Sequence, residues 1–490
     1  MNKRFRNILI LSLAVLAAAG ANICLKLYTA NNQLDAADET SQGMYISNYS
    51  VGTVEKIEIE NQYGEIVLVQ ENDVWYVQGE ETAELDQGVV SEMAYMMTHI
   101  LAERTVSETE DTENVYGMAA PSAIITTYHK DMVEQKFIIG NKSPIDNQYY
   151  LQSSVFKKVY TVDMVYYIYG NVKLEDLLLI KGVEIEHADM KEIKIKNSLG
   201  EEFTIRRTLP ENDISLCYWE FIEPFNHDID TAVMYGSEKY SGMITTIVEL
   251  TGDKVIDIDG RQRQTYGLDN PIFTAEILSS SGYLQSFAIG EYGDEDNYSL
   301  KFSNDINIYS ISKDTVAFVD YSAYIMADAN LDLINIDTVD SIIIDLPGVG
   351  ANMGIEHFAI KNQDGTNALD ADGSEIWDII ISVDNLDENT LNVSNIAQQK
   401  LWMYQEIVTI KIDDLLINDI ETGERVGSIV FTLNSEYKSN FTVDFYEYSN
   451  SHYIAKKNGE EAAYLVNKKE INELAEKYAL LLDGKLESDY

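Results

Sequence analysis

The chain has 490 residues, and its 35 Lys and Arg against 82 Asp and Glu give a net charge of −47. This charge excludes a nucleic-acid-binding protein, because no basic surface is available to displace counterions from phosphates. A hydrophobic share of 45% excludes a disordered acidic polymer. Two cysteines, Cys24 and Cys217, are too few for a disulfide framework or a thiolate zinc site.

The first 28 residues have the pattern of a membrane anchor. Lys3, Arg4 and Arg6 precede an apolar stretch at residues 8–25, which is close to the length of about 20 residues that spans a bilayer. The basic flank predicts a cytoplasmic N-terminus and an extracytoplasmic bulk, hence a single-pass protein of the cell membrane. A cleaved signal peptide is the alternative, since alanines at positions 17, 19 and 21 offer a cleavage site. Residues 29–53 are polar and predict a flexible linker.

The rest of the chain repeats itself. VEKIEIEN at 54–61 corresponds to MKEIKIKN at 190–197, and FIIG at 137–140 corresponds to FAIG at 287–290. A third copy is weaker, since it keeps an opening strand pattern, VDSIIID at 339–345, but lacks the later motifs. We therefore predict repeat units at 54–189 and 190–338 and a degenerate third unit at 339–490.

A second shared motif predicts a tight turn. YGMAAP at 116–121 corresponds to YGLDNP at 266–271, so that glycine would take positive φ and proline would set the entry to the next strand. The residues of these structural turns are Tyr116, Gly117, Pro121, Tyr266, Gly267 and Pro271. Further tyrosines recur after each turn, and they are the candidate interaction surface: Tyr149, Tyr160, Tyr298 and Tyr309. Trp75, Trp219 and Trp377 lie in strand patterns and are predicted to belong to the core.

Hydrophobic periodicity within a unit predicts an α+β fold of mainly antiparallel sheet with one or two helices. In the first unit, alternation marks strands near 54–61, 65–71, 74–77, 124–130, 135–140, 149–152 and 159–162. Residues 85–103 show helical spacing, with Asp86 as the N-cap, and a second short helical pattern starts at Asp163. A further helical stretch is predicted at 396–407.

The sequence offers only weak candidates for a catalytic, cofactor or metal site. Gly348, Gly350 and Gly354 precede an alternating strand pattern, whereas a dinucleotide site needs a helix there. The six histidines are scattered, and the closest approach to a cluster is His227 with Asp228 and Asp230. Asp370, Asp372 and Gly373 resemble part of a calcium loop, but Ala368 and Ile379 stand where its first and last ligands should be. The acidic turn at 294–297 is interpreted as a solvated loop. We therefore expect no catalytic residue, cofactor or metal, and no enzymatic activity; a hydrolase acting through paired carboxylates is a remote alternative.

The order of these features resembles the domain-of-unknown-function 4340 family. The resemblance rests on the anchor, the strand that contains Trp75, the two Tyr-Gly turns and the strands that follow them. It implies no catalytic residues. It does imply an extracytoplasmic accessory protein of a gliding-motility-type ABC transporter, which docks to permease or auxiliary subunits or presents a substrate. The alternative is a cell-surface ligand-binding or adhesion protein for polysaccharide or peptide.

Overall fold

The computed structural model describes residues 44–47, 51–80, 82–130, 133–145, 147–208, 217–369, 375–384, 386, 396–417, 420–434 and 440–483. Within these ranges, no helix is both long enough and apolar enough to cross a membrane. The predicted anchor, most of the linker and the calcium-like loop at 370–373 lie outside the described residues.

The described strands are β1 Met44–Tyr45, β2 Val54–Asn61, β3 Gly64–Glu71, β4 Val74–Val77, β5 Leu101–Ser107, β6 Ala123–His129, β7 Glu134–Lys142, β8 Gln148–Ser153, β9 Val159–Asp163, β10 Met190–Lys196, β11 Glu202–Arg207, β12 Trp219–Glu223, β13 His227–Asp228, β14 Lys254–Asp257, β15 Phe273–Ser279, β16 Leu284–Gly290, β17 Asn297–Phe302, β18 Ile308–Ser312, β19 Val339–Leu346, β20 Val349–Ala359, β21 Trp377–Val383, β22 Asp414–Leu416, β23 Arg425–Leu433, β24 Phe441–Glu447, β25 His452–Lys457 and β26 Ala463–Asn467. The described α-helices are α1 Gln87–Thr98, α2 Met164–Gly170, α3 Thr231–Tyr235, α4 Met243–Val248, α5 Ala323–Met326, α6 Ile396–Val408 and α7 Lys468–Leu482. The α+β class predicted from the sequence is confirmed, because the described sheets are mostly antiparallel and are accompanied by a few helices.

The chain divides into two compact units. The first comprises residues 1–182, 251–271 and 289–315, and the second comprises residues 183–250, 272–288 and 316–490. The boundaries of the three predicted repeats are not tested by this division and stay a prediction.

The first unit is built on a sheet with the strand order β1-β5-β9-β8-β7-β6-β2-β3-β4. Alternation in VEKIEIEN buries Ile57 and Ile59 on one side of β2. This unit also contains strands β17, β18 and β14, which are hydrogen-bonded to one another in that order and do not belong to the sheet of β1–β9.

The first unit also contains helices α1 and α2, and each has an aspartate as its N-cap. The Asp86 carboxylate accepts hydrogen bonds from the backbone N–H groups of Gly88 and Val89 and caps α1, as predicted. Helix α1 ends at Thr98, whereas the sequence pattern predicted a helix to residue 103; Leu101 instead opens β5, which pairs with β9. Asp163 caps α2 in the same way.

The second unit contains the strand order β13-β12-β11-β10-β15-β16 and an eight-stranded sheet with the order β21-β20-β19-β23-β24-β25-β26-β22. The last two residues of β16 fall in the first unit. Strands β19 and β20 form an antiparallel hairpin in which Gly348 takes positive φ at the turn, while Gly350 and Gly354 lie within β20. The strand predicted from the alternation after Gly354 is therefore confirmed. Helix α6 confirms the helical stretch predicted near 396–407.

Candidate functional site

The glycines of the two Tyr-Gly turns have the backbone conformation that the turns require. Gly117 has φ of 86° and Gly267 has φ of 68°, which is the left-handed region that side chains disfavour. Neither position has room for a side chain. An added Cβ would lie 2.6 Å from the Asn141 side chain at Gly117 and 2.3 Å from the Glu291 carbonyl oxygen at Gly267. Both glycines therefore serve the fold.

The second repeated motif meets the first in space. A Cβ on Gly140, the last residue of FIIG, would lie 2.2 Å from the Tyr116 carbonyl oxygen. A Cβ on Gly290, the last residue of FAIG, would lie 2.3 Å from the Tyr266 carbonyl oxygen. At both positions only glycine leaves room for the turn carbonyl, so the two motifs pack together as one structural unit.

The turn tyrosines also use their hydroxyl groups internally. Tyr116 donates to the Val106 carbonyl at 3.4 Å, and Tyr266 donates to the Ile256 carbonyl at 2.9 Å. The donor and acceptor are ten residues apart in both copies, so the turns fold alike. Burial raises the pKa of Tyr266, and the charge of Asp257 adds to the shift.

Pro121, which ends the first turn, lies at a surface cleft of about 530 Å³. The lining is mostly polar and comes from β2 and the turn after it, from the turn before β6 with the start of that strand, and from α2 with the residue that follows it. The lining residues are Glu60, Asn61, Gln62, Pro121, Ser122, Ile124, Tyr167 and Asn171.

Asn61 ties one wall of this cleft to the other. Its Nδ2 donates to the carbonyls of Gly170 and Val172 at 3.0 and 2.8 Å, and its Oδ1 accepts from the Tyr63 backbone at 2.8 Å. The amide therefore joins the end of β2 to the end of α2. Because its hydrogen-bonding groups are used in the fold, Asn61 shapes the cleft.

Tyr167 supplies the aromatic surface of the cleft. Its ring is half-buried and stacks on Tyr149, with centroids 4.0 Å apart and planes at 15°. Burial raises the pKa of Tyr149, and the neighbouring Tyr167 adds to the shift. Glu60 and Gln62 are exposed at the rim. The cleft can therefore stack a planar group and exchange hydrogen bonds with a polar ligand.

The four tyrosines of the predicted interaction surface differ in exposure. Tyr160 is 3% exposed and Tyr309 is 0% exposed, so neither ring is available to a partner. Burial, with Asp305 as hydrogen-bond acceptor, holds the pKa of Tyr309 well above its usual range. Tyr149 and Tyr298 are half-buried, and Lys313 Nζ lies 4.8 Å from the Tyr298 ring centre. An interaction role stays a prediction for these two.

The tryptophans correct another expectation. Trp75 and Trp219 are each 1% exposed and belong to the core, as predicted. Trp377 is 59% exposed at the start of β21, an edge strand of its sheet, so the prediction of a core role for it is wrong. Residues at a sheet edge can continue a strand pattern without a layer that covers them.

Sequence reasoning did not single out Asn61, Tyr167 and Asn171 as neighbours of Pro121. The available signals were that Asn61 ends the repeated pattern at 54–61 and that Tyr167 is one of three tyrosines at 166–169. The hydrogen bond from Asn61 to the Val172 carbonyl joins residues more than 100 positions apart in the sequence. Among the described residues, no group of three or more His, Cys, Asp or Glu side chains is arranged to hold a metal ion.

Residues 75–271 match the family described as a domain of unknown function (DUF4340). The resemblance predicted from the sequence is confirmed over this segment. The DUF4340 match starts at Trp75 and ends at Pro271, so it contains both Tyr-Gly turns. No curated protein and no solved structure matches the chain.

Proposed function

We propose that the protein is a non-enzymatic, membrane-anchored accessory protein of an ABC-transporter-type complex. Residues 1–28 would anchor it as a single transmembrane helix with a cytoplasmic N-terminus, and the repeat units would lie outside the membrane. It would act by docking to a permease or auxiliary subunit, or by presenting a substrate to it. The DUF4340 match supports the family resemblance on which this proposal rests.

The observation that carries the docking role is the cleft beside Pro121. The repeated glycines and the hydroxyls of the turn tyrosines are engaged in backbone contacts, so the turns act as a scaffold. What this scaffold presents is a shallow polar cleft with the Tyr167 ring and the exposed side chains of Glu60 and Gln62. Rigid scaffolds that hold polar and aromatic groups at a cleft are typical of recognition sites.

Purification of the full-length protein from its native membranes in mild detergent tests the proposal. A photo-crosslinking amino acid at Gln62 should capture a permease or auxiliary subunit, identified by mass spectrometry, while the peptide of residues 8–25 stays intact. The control places the same group at Tyr283, which is 44% exposed in the second unit. Recovery of a chain truncated near Ala21 without transporter subunits would contradict the proposal.

The stacked Tyr149–Tyr167 pair favours one alternative, a cell-surface protein that binds polysaccharide or peptide. An aromatic face beside amide groups suits such ligands. Binding of cell-wall glycan to the purified chain, lost in Tyr167→Ala and kept in Tyr283→Ala, would support this alternative. Capture of transporter subunits at Gln62 without glycan binding would favour the accessory role.

A further inference from the structure

Three charged or titratable side chains meet in the interior of the second unit. Lys457 of β25, Asp332 and His227 of β13 are 5%, 6% and 4% exposed. Lys457 Nζ lies 2.9 Å from Asp332 Oδ1 and 3.1 Å from His227 Nδ1. A buried ammonium group needs such partners, because an unpaired charge in the interior is costly.

The partners of His227 determine its protonation state. An ammonium group can only donate, so Nδ1 must accept from Lys457 and carry no proton. A carbonyl oxygen can only accept, so Nε2, 2.9 Å from the Asp328 carbonyl, must carry the proton. Both hydrogen bonds exist together only when the ring is neutral. A proton on Nδ1 would break the bond to Lys457 and place two cations about 3 Å apart.

The cluster joins segments that are distant in sequence. His227 and Asp328 belong to the second predicted repeat, whereas Lys457 and Tyr464 belong to the third. Tyr464 packs beside the His227 ring, with centroids 5.1 Å apart, and its hydroxyl donates to the Asn226 carbonyl at 3.1 Å. We refer to His227, Lys457, Asp332 and Tyr464 as the clasp.

We propose that the clasp is a proton-sensitive device that holds the second and third predicted repeats together when His227 is neutral and loosens when His227 is protonated. Its action is independent of the docking proposed for the cleft.

Charged groups around His227 have opposing effects on protonation of its ring. Lys457 opposes protonation, while the nearby carboxylates of Asp228, Asp328, Asp332 and Glu460 favour it. Asp332 Oδ1 is engaged by Lys457, and Asp328 Oδ1 accepts from the backbone and side chain of Asn330. Glu460 Oε2 accepts from the Asn226 backbone at 3.3 Å. Lys457 contacts the ring nitrogen directly, so its effect should prevail.

The first test is the protonation state itself. Nitrogen-15 NMR of histidine-labelled full-length chain should show a neutral ring with the proton on Nε2 at neutral pH, assigned by loss of that signal in His227→Gln. An imidazolium, or a neutral ring with the proton on Nδ1, would overturn the proposal.

The second test measures opening of the clasp by hydrogen exchange of peptides around residues 226–229 and 454–457. Between about pH 7.5 and about pH 5.5 the exchange, corrected for its intrinsic pH dependence, should rise by about tenfold in wild type. His227→Gln should abolish that rise, since the amide can accept from Lys457 and donate to the Asp328 carbonyl without titrating.

His452→Gln is the matched control. His452 lies in the same unit, but its Nε2 is 2.9 Å from the Asp413 carboxylate, outside the clasp. The rise in exchange should therefore persist in His452→Gln. An equal rise in wild type and His227→Gln, or its loss in His452→Gln alone, would contradict the proposal.

Discussion

Asn61 and Asn197 occupy matching positions at the end of the opening strand in the first two predicted repeats, yet their surroundings differ. Each donates through Nδ2 to a backbone carbonyl about 110 to 125 residues later, Val172 for Asn61 and Tyr321 for Asn197. Asn197 is only 2% exposed, because Glu201 accepts from its amide at 2.7 Å and from the Ala323 backbone at 2.9 Å. Asn61 is half-buried and lines the cleft.

The difference shows how a duplicated scaffold can acquire distinct surfaces. Glu65 stands in the first copy where Glu201 stands in the second, but it is exposed. The shared hydrogen bond to the later carbonyl maintains the fold in both copies. The neighbours of the asparagine then decide whether that corner is closed by a carboxylate or open as a cleft.

The largest expected effect concerns the glycine that both copies share. Gly140→Ala and Gly290→Ala should each lower the free energy of unfolding by about 3 kcal/mol, because the new Cβ meets a carbonyl oxygen that belongs to the backbone. Urea denaturation followed by tryptophan fluorescence measures the loss. Gly282→Ala is the control, since nothing lies within 4 Å of its Cβ and only its positive φ of 88° is penalised, at about 1 kcal/mol. Unequal losses at Gly140 and Gly290 would show that the turns are not equivalent.

Substitution of the two matching asparagines should have different effects on stability in the two copies. Asn197→Ala should cost about 2 kcal/mol, because the Tyr321 carbonyl and the backbone N–H groups of Leu199 and Glu201 lose a buried partner. Asn61→Ala should cost about 1 kcal/mol, since water can reach the half-buried cleft. The same denaturation assay checks both values. Equal costs would mean that burial does not distinguish the corners.

A pH series gives a smaller contrast between one histidine of each unit. Burial lowers the pKa of His99 below its ordinary value of 6.5, and burial followed by the charge of Arg207 lowers that of His187. The unfolded chain then binds protons more readily, so their contribution to stability is present above about pH 6.5 and is lost as the pH falls below it.

His99→Gln and His187→Gln should each reduce this loss. Added salt should weaken only the His187 effect, because it screens Arg207 and leaves burial unchanged. The midpoint of urea unfolding at about pH 7.5 and about pH 5.5, in low and high salt, measures both effects. The same change of stability on acidification in wild type and in both variants would contradict the assigned shifts.

The smallest effect extends the comparison to the third predicted repeat. Trp377→Ser should change the free energy of unfolding by less than about 0.5 kcal/mol, because the ring is 59% exposed. The urea midpoint should therefore equal that of wild type. A loss as large as that of Asn61→Ala would show that the side chain is packed.

Local features of the fold were predictable. The alternation at 54–61 gives β2, Asp86 caps α1, and the Tyr-Gly motifs become turns with positive φ. These follow from backbone conformation and from which side of an element is apolar. The prediction failed where pairing overrode a local pattern, as at Leu101, which opens β5 and pairs with Tyr45 of β1 instead of extending α1. Around the cleft, the sequence indicated Pro121 and Tyr149, but neither Tyr167 nor their proximity to Asn61.

The sequence by itself determined the antiparallel α+β class, the repeated motifs and the family resemblance, because strand alternation, helix capping and glycine turns depend on neighbouring residues. Only the tertiary structure decided which repeated residues are buried, that Gly140 meets the Tyr116 carbonyl, and that His227 meets Lys457 from 230 residues away. Such contacts depend on how distant segments pack, and the spacing of residues along the chain carries no record of that packing.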